Sequence, residues 1–249
     1  MAAKKKSRKA SAEAAVEVPP DPRAPLPQTP ESWDLTRQEL EKALAAVPPP
    51  EEPRPGDFIE AMLHIYFADG IACGFGQEAR RRILETYVDR NEFRVTEAFE
   101  VEDMLSDLEI PDLFDRCLDV RESIGQIYND QNGVKLDFLR EASVSDRNNF
   151  FQRTPALRPF VANFLVNLLT VEDLCFSEKS TLRSQQKMGM EPKDKAAQDF
   201  ITAVRGMLAP YGHLPLEIGP HQPGGKPNTE RLLSPACLMV RLLPVGRKR

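Results

Sequence analysis

Apolar residues recur along most of this chain at intervals that place them on one side of a helix, and this pattern predicts an all-α fold. Trp33 to Val47 (WDLTRQELEKALAAV) is the first such stretch, and the proline-rich run from Pro48 to Pro55 stops it. Asp57 stands where it can cap a second helix, FIEAMLHIYFADG. After a glycine-containing turn, GIACGFG, the segment Gln77 to Val88 presents an apolar side made of Ala79, Ile83, Leu84, Tyr87 and Val88. Glu100 to Leu108 follows. A longer helix then runs from about Pro111 to Asn129, with Phe114, Leu118, Ile124 and Ile127 marking its inner face, and Asn132-Gly133 turns the chain into LDFLREA.

Ser145 to Arg153 (SDRNNFFQR) and Pro159 to Leu169 (PFVANFLVNLL) read as two helices joined by TPALR, with Pro159 at a position where helices commonly start. That is a helix-hairpin-helix outline over about residues 145 to 170. Beyond it, Pro192 to Leu208 reads as helical, and Pro210 to Pro227, full of Pro and Gly, as irregular. No repeat with a period of roughly 20 to 50 residues is present, which excludes a solenoid.

Composition divides the chain unevenly. With 249 residues and 41% hydrophobic content there is enough apolar material for one sizeable core, or for two lobes packed around a cleft. Residues 1–31, rich in Lys, Ala and Pro, hold too few large apolar side chains to offset the entropy of ordering and read as a disordered arm. Residues 32–246 form the helical domain, and 247–249 a basic tail. No stretch approaches the roughly 18 uninterrupted apolar residues of a membrane helix, so a cytoplasmic protein with no membrane partner is expected.

Charge is divided as well. The net charge is −5, but Lys4, Lys5, Lys6, Arg8 and Lys9 at one end and Arg247, Lys248 and Arg249 at the other are cationic, and without those eight the remainder carries −13. An anionic body with two cationic tips meets nucleic acid poorly in the middle and adequately at the ends; the tips equally suit a role in solubility alone. The acidic stretch containing Glu97, Glu100, Glu102, Asp103, Asp107, Glu109, Asp112 and Asp115 reads as a solvated face, or as a surface for a basic protein partner.

Cys73, Cys117, Cys175 and Cys237 are scattered, with no CxxC pair, and read as reduced packing residues. His64, His213 and His221 give no helical pair of the kind a zinc site uses; His64 reads as a core or groove residue, and HLPLEIGPH as weak metal-ligand material. No metal or other cofactor is therefore expected. Phosphate loops, nucleotide fingerprints and serine-hydrolase elbows are not found in the sequence.

From about residue 57 to 187 the order of elements, and above all the phrase YVDRNEFRV (Tyr87 to Val95), resembles the endonuclease III group of helix-hairpin-helix DNA glycosylases. VEDML, a long helix, LDFLRE (Leu136 to Glu141) and the hairpin follow in the family's order, over roughly half the chain. The resemblance implies a two-lobed helical fold, double-stranded DNA as partner and base-excision repair as setting. The family hairpin reads leucine-proline-glycine-variable-glycine with a lysine opening the second helix, and this chain has Thr154-Pro155-Ala156-Leu157-Arg158-Pro159-Phe160 there. Ala156 and Arg158 replace glycines that let backbone N–H groups approach a DNA phosphate. Arg158 offers its own guanidinium to phosphate or is an exposed loop arginine.

Phe160 falls at the family's catalytic lysine, and a phenyl ring cannot form the Schiff base of lyase chemistry. Some eighteen residues further on, Glu178 in FSEKSTLR falls at the family's catalytic aspartate; it either activates water in a monofunctional glycosylase or is a solvated glutamate near a helix start. Where relatives carry an amide that fills the gap left by an extruded base, this chain has Ala68-Asp69-Gly70-Ile71, with an anionic Asp69. Many relatives hold an iron-sulfur cluster through four C-terminal cysteines, and here Cys237 stands alone, so no cluster forms by that scheme. The resemblance thus implies a degenerate glycosylase-fold protein that binds DNA or protein. An active monofunctional enzyme using Glu178 and a protein-interaction scaffold without a DNA role are the competing expectations.

Overall fold

The computed structural model describes residues 26, 28–54, 56–177, 181–191, 193–219 and 232–243. Among them are helices joined by turns, with no strand, as the periodicity predicts. α1 (Pro30–Ala45) starts in a capping box in which Thr29 and Ser32 satisfy each other's backbone N–H groups. Its Trp33 stacks on Phe200 at 6.2 Å, and the Tyr211 hydroxyl donates to Val47 O (2.6 Å) just past its end. Upstream, Leu26 N–H donates to Arg241 O (2.8 Å) and Gln28 Nε2 to Leu242 O (2.5 Å), fastening this strip to the C-terminal segment. Residues 26 and 28–31 of the expected arm thus make defined contacts, and the arm's basic residues lie outside the described residues.

α2 (Phe58–Ala68) is capped by Asp57, whose carboxylate accepts from Ile59 N–H and Glu60 N–H, and all but two of its residues are buried. It packs against α3 (Cys73–Thr86), α6 (Leu113–Gln131) and α9 (Pro159–Phe176). The α2–α3 approach depends on Gly76: a Cβ at that position would overlap the His64 carbonyl oxygen and lie 2.7 Å from the Ala68 Cβ. Arg116 on α6 closes the far end of α2, donating from its guanidinium to the carbonyls of Tyr66, Asp69 (2.9 Å) and Pro111 (2.9 Å).

α4 (Arg90–Val95) lies on α6, as does α5 (Ala98–Leu105), which continues as a short 3-10 turn to Leu108. Glu109 and Asp112 then adopt the left-handed conformation around Ile110-Pro111, and Asn132 does so at the end of α6, where the Asn-Gly turn is expected. α7 (Phe138–Glu141) and α8 (Val144–Arg153) lead into α9. α9 has the length and composition of a membrane span, yet Val161, Phe164, Leu165, Leu168, Val171 and Leu174 are core residues packed among α2, α10 (Thr181–Lys187), α11 (Lys195–Leu208) and α12 (Pro235–Val240).

Several sequence expectations need correction. α3 begins at Cys73, inside the expected glycine turn, which rotates its buried side to Gly76, Ala79, Arg80 and Ile83; Leu84 is partly exposed and Val88 is 99% exposed beyond the helix. On α6 the inner face is Leu113, Cys117, Val120, Ile124 and Ile127, while Phe114 is outward. α9 runs seven residues past its expected end at Leu169 because Val171, Leu174 and Cys175 extend the apolar side.

The close contact at Gly76 makes a quantitative prediction. Gly76→Ala must separate α2 from α3 and should lower stability by about 2 kcal/mol or more, read as a fall in denaturant midpoint at unchanged slope. An unchanged midpoint would show that the two helices tolerate a methyl group there.

Candidate functional site

The hairpin between α8 and α9 is closed upon itself. Thr154 is buried, its hydroxyl donating to Phe150 O (2.9 Å), and Ala156 N–H donates to Gln126 Oε1 (3.0 Å). Leu157 N–H donates to Thr154 O (3.0 Å) and Arg158 N–H to the Tyr66 hydroxyl (3.3 Å). That hydroxyl lies 2.7 Å from Ser123 Oγ, and Ser123 donates onward to Ala156 O at 3.0 Å. The result is a chain of hydrogen bonds, Arg158 to Tyr66 to Ser123 to Ala156, in which each member polarises the next. Burial pushes the Tyr66 phenol up, so it stays a neutral donor.

This closure uses the donors a phosphate would need. The N–H groups of Ala156, Leu157 and Arg158 are all engaged within the chain. The exposed Arg158 guanidinium is also occupied, in a two-point contact with Asp119 (2.7 and 2.5 Å). Phe160, half-buried, packs edge-on against Tyr66 with ring centroids 5.8 Å apart and 79° between planes. Neither hydrogen-bonding capacity nor a nucleophile is available at that position.

Asp69 closes α2, and its carbonyl is held by Arg116. Gly70 follows at φ +80°, with open space where a Cβ would stand. This turn is fixed through its backbone, and the structure gives it no base-filling amide. Glu178 and the basic arm residues Lys4, Lys5, Lys6, Arg8 and Lys9 lie outside the described residues.

A second feature, not expected from the sequence, lies close along the chain to residue 178. A groove of about 190 Å³ opens between the start of α8 and the facing sides of α9 and α10. Arg140, Arg147, Arg183 and Lys187 line it, with Asp173 and Glu141 as counter-charges. Arg147 is spoken for: it donates to the carbonyls of Leu139 (2.6 Å) and Arg140 (2.8 Å) and pairs with Asp173 (2.8 Å). Arg183 and Lys187 form no ion pair among the described residues. Burial and then the neighbouring Arg147 and Arg183 charges push the Lys187 ammonium below its ordinary range. The positive end of α8 adds to this field, so the groove favours an anion.

All four cysteines are free and buried, as the sequence reading expects, and two of them meet a histidine. His64 of α2, Cys73 at the start of α3 and Cys237 of α12 converge in the core, their ligand atoms all within 4.8 Å of one another. His64 Nε2 lies 3.4 Å from Cys237 Sγ. A hydrogen bond from the Cys237 thiol holds Cys73 well below the ordinary thiol range despite burial, with His64 and the Ser234 N–H acting in the same direction, and the donor Cys237 is pushed well above it. Cys117 and Cys175 behave as packing thiols, pushed up to about 12 by burial. The other described histidine, His213, is depressed by burial.

No protein-family model matches this chain, and no curated protein matches its sequence.

The hydrogen-bonded closure is open to test. Tyr66→Phe leaves the Arg158 N–H without its acceptor and should cost about 1–3 kcal/mol, with amide exchange accelerating first at residues 156–158. Unchanged exchange at those amides would mean that the hairpin is held without the hydroxyl.

Proposed function

We propose that this protein is a non-catalytic binding factor built on a two-lobed helical body of the endonuclease III type, associating with double-stranded DNA through cationic groups outside the hairpin. One observation carries the reading: Phe160, at the position of the family's lysine, is packed on Tyr66 inside a closed hairpin. A phenyl ring has no electron pair with which to attack the sugar carbon, so the family's lyase route is closed. The glycine-mediated phosphate contact is replaced too, because the loop's N–H groups bond within the chain.

Attraction to phosphate then falls to charges that are not already neutralised. Lys4, Lys5, Lys6, Arg8 and Lys9 supply one set, and the Arg183 and Lys187 side of the groove supplies another. The anionic remainder of the chain, at −13 without its terminal cations, restricts contact to these places.

A second reading, a protein-interaction scaffold, is favoured by a different observation. Val88, Val95 and Phe99 stand 99%, 60% and 55% exposed over one short segment that leads into the acidic α5. An apolar strip beside carboxylates suits a partner with basic and apolar groups.

Fluorescence anisotropy with an abasic-analogue duplex over a salt series separates these readings. Affinity should fall steeply with salt, and deleting residues 1–10, with their five cationic side chains, should flatten the log-log slope by as much as about 4.5, given roughly 0.9 per phosphate neutralised. Arg183→Glu combined with Lys187→Glu should weaken binding further. No binding at low salt leaves the scaffold reading. Base release from a damaged duplex that disappears in Glu178→Gln would instead establish an active monofunctional glycosylase.

A further inference from the structure

We propose that His64, Cys73 and Cys237 form a structural zinc site that ties the C-terminal helix to the α2–α3 pair. Two sulfurs and an imidazole within 4.8 Å of one another are the donor set that zinc prefers, on elements far apart in sequence. All three residues are buried: His64 is fully enclosed, Cys73 is 5% exposed and Cys237 9%. His64 Nδ1 is buried with no hydrogen-bond partner among the described residues, and the ring's described polar neighbours are the two sulfurs. An imidazole so enclosed is costly in an apolar core, and a proton would add a buried charge, whereas a metal ion can take the ring as a ligand.

Charge selects the ion. Two thiolates with a neutral imidazole carry −2, so a divalent cation makes the buried assembly neutral, whereas a monovalent one such as Cu⁺ leaves an uncompensated charge in the core. Binding releases to solvent whatever thiol protons the pair still holds, including the one shared between Cys237 and Cys73, and the metal–sulfur bonds form without any change of oxidation state. Ser234 stands beside the trio, its Oγ accepting from Cys237 N–H at 3.1 Å and its own N–H directed at the Cys73 sulfur. The three residues would hold the ion, and a water molecule would complete its coordination.

The backbone holds two ligands in place before any ion arrives. His64 and Cys73 face each other because Gly76 lets α3 rest on the His64 carbonyl. Cys237 is delivered by α12, which packs on α1 and α9. Bringing Cys237 to Cys73 closes a long loop, so the ion links segments whose separation in the unfolded chain is entropically favoured. The site is independent of the DNA-binding reading, since none of its residues lies in the hairpin, the groove or the arm.

The test uses the full chain, purified under reducing conditions and stripped of metal. Cobalt titration of the wild type should give a thiolate-to-cobalt charge-transfer band that saturates at one equivalent and is abolished by zinc, and zinc should raise the thermal midpoint. Cys73→Ser and Cys237→Ser should each lose most of the band while keeping the helical circular dichroism, and Cys117→Ser should retain it. Because the wild-type titration is decisive by itself, a variant that fails to fold does not blunt the result. A reduced wild type with no saturable band, or a band that persists when both Cys73 and Cys237 are serine, would each overturn the assignment. So would a Cys73–Cys237 disulfide that, once reduced, leaves a protein without metal affinity.

Discussion

The structure depends on the contact between α2 and α3, where a glycine allows one helix to lie on the backbone of the other. Gly76 sits on the carbonyl of His64, and this approach gives α2 a wall of backbone on one side while α6 and α9 cover the others. A helix enclosed in this way must be apolar nearly all round, which is why FIEAMLHIYFA departs from the one-sided pattern of a surface helix. The inward polar groups meet polar neighbours at two places: the Tyr66 hydroxyl in the hairpin and His64 Nε2 among the sulfurs.

Both features follow from that placement. Tyr66 lends its hydroxyl to the Arg158 N–H and its ring to Phe160, so the loop that would present donors to a phosphate is bonded to the core instead. Ser123 and Gln126, one helical turn apart on α6, complete the closure from the other side. The hairpin is thereby a structural connection between α6, α8 and α9. In the groove near α10, Arg140 and Arg147 are paired with carboxylates, while Arg183 and Lys187 form no ion pair among the described residues.

Local signals in the sequence located some helix starts and turns, although α3 starts inside the expected glycine turn. The Asp57 cap, the Pro159 start and the Asn132-Gly133 turn depend on residues adjacent in the chain, and each lies where those residues place it. Helix phase was less legible. Leu84, Val88 and Phe114 match the apolar spacing, yet the true buried sides follow from where α3 and α6 meet their neighbours, which periodicity does not contain. α10 and α12 are too short to show a period, and α12 is marked only by its Ser234 cap and Pro235. The site was the least legible part. Tyr66, Ser123 and Arg158, like His64, Cys73 and Cys237, meet only after folding, and their separations carry no motif. The glycines of GIACGFG were the one available hint that residues 64 and 73 approach each other.

We propose that an aromatic ring, fixed by Tyr66, stands where the family this sequence resembles carries an amine nucleophile, so that the chain lacks that family's lyase chemistry. Borohydride trapping on a duplex containing a natural abasic site tests it most directly. The account predicts no covalent protein–DNA adduct at any protein concentration that saturates the duplex. A trapped adduct that maps by peptide mass to any lysine of the chain would contradict it.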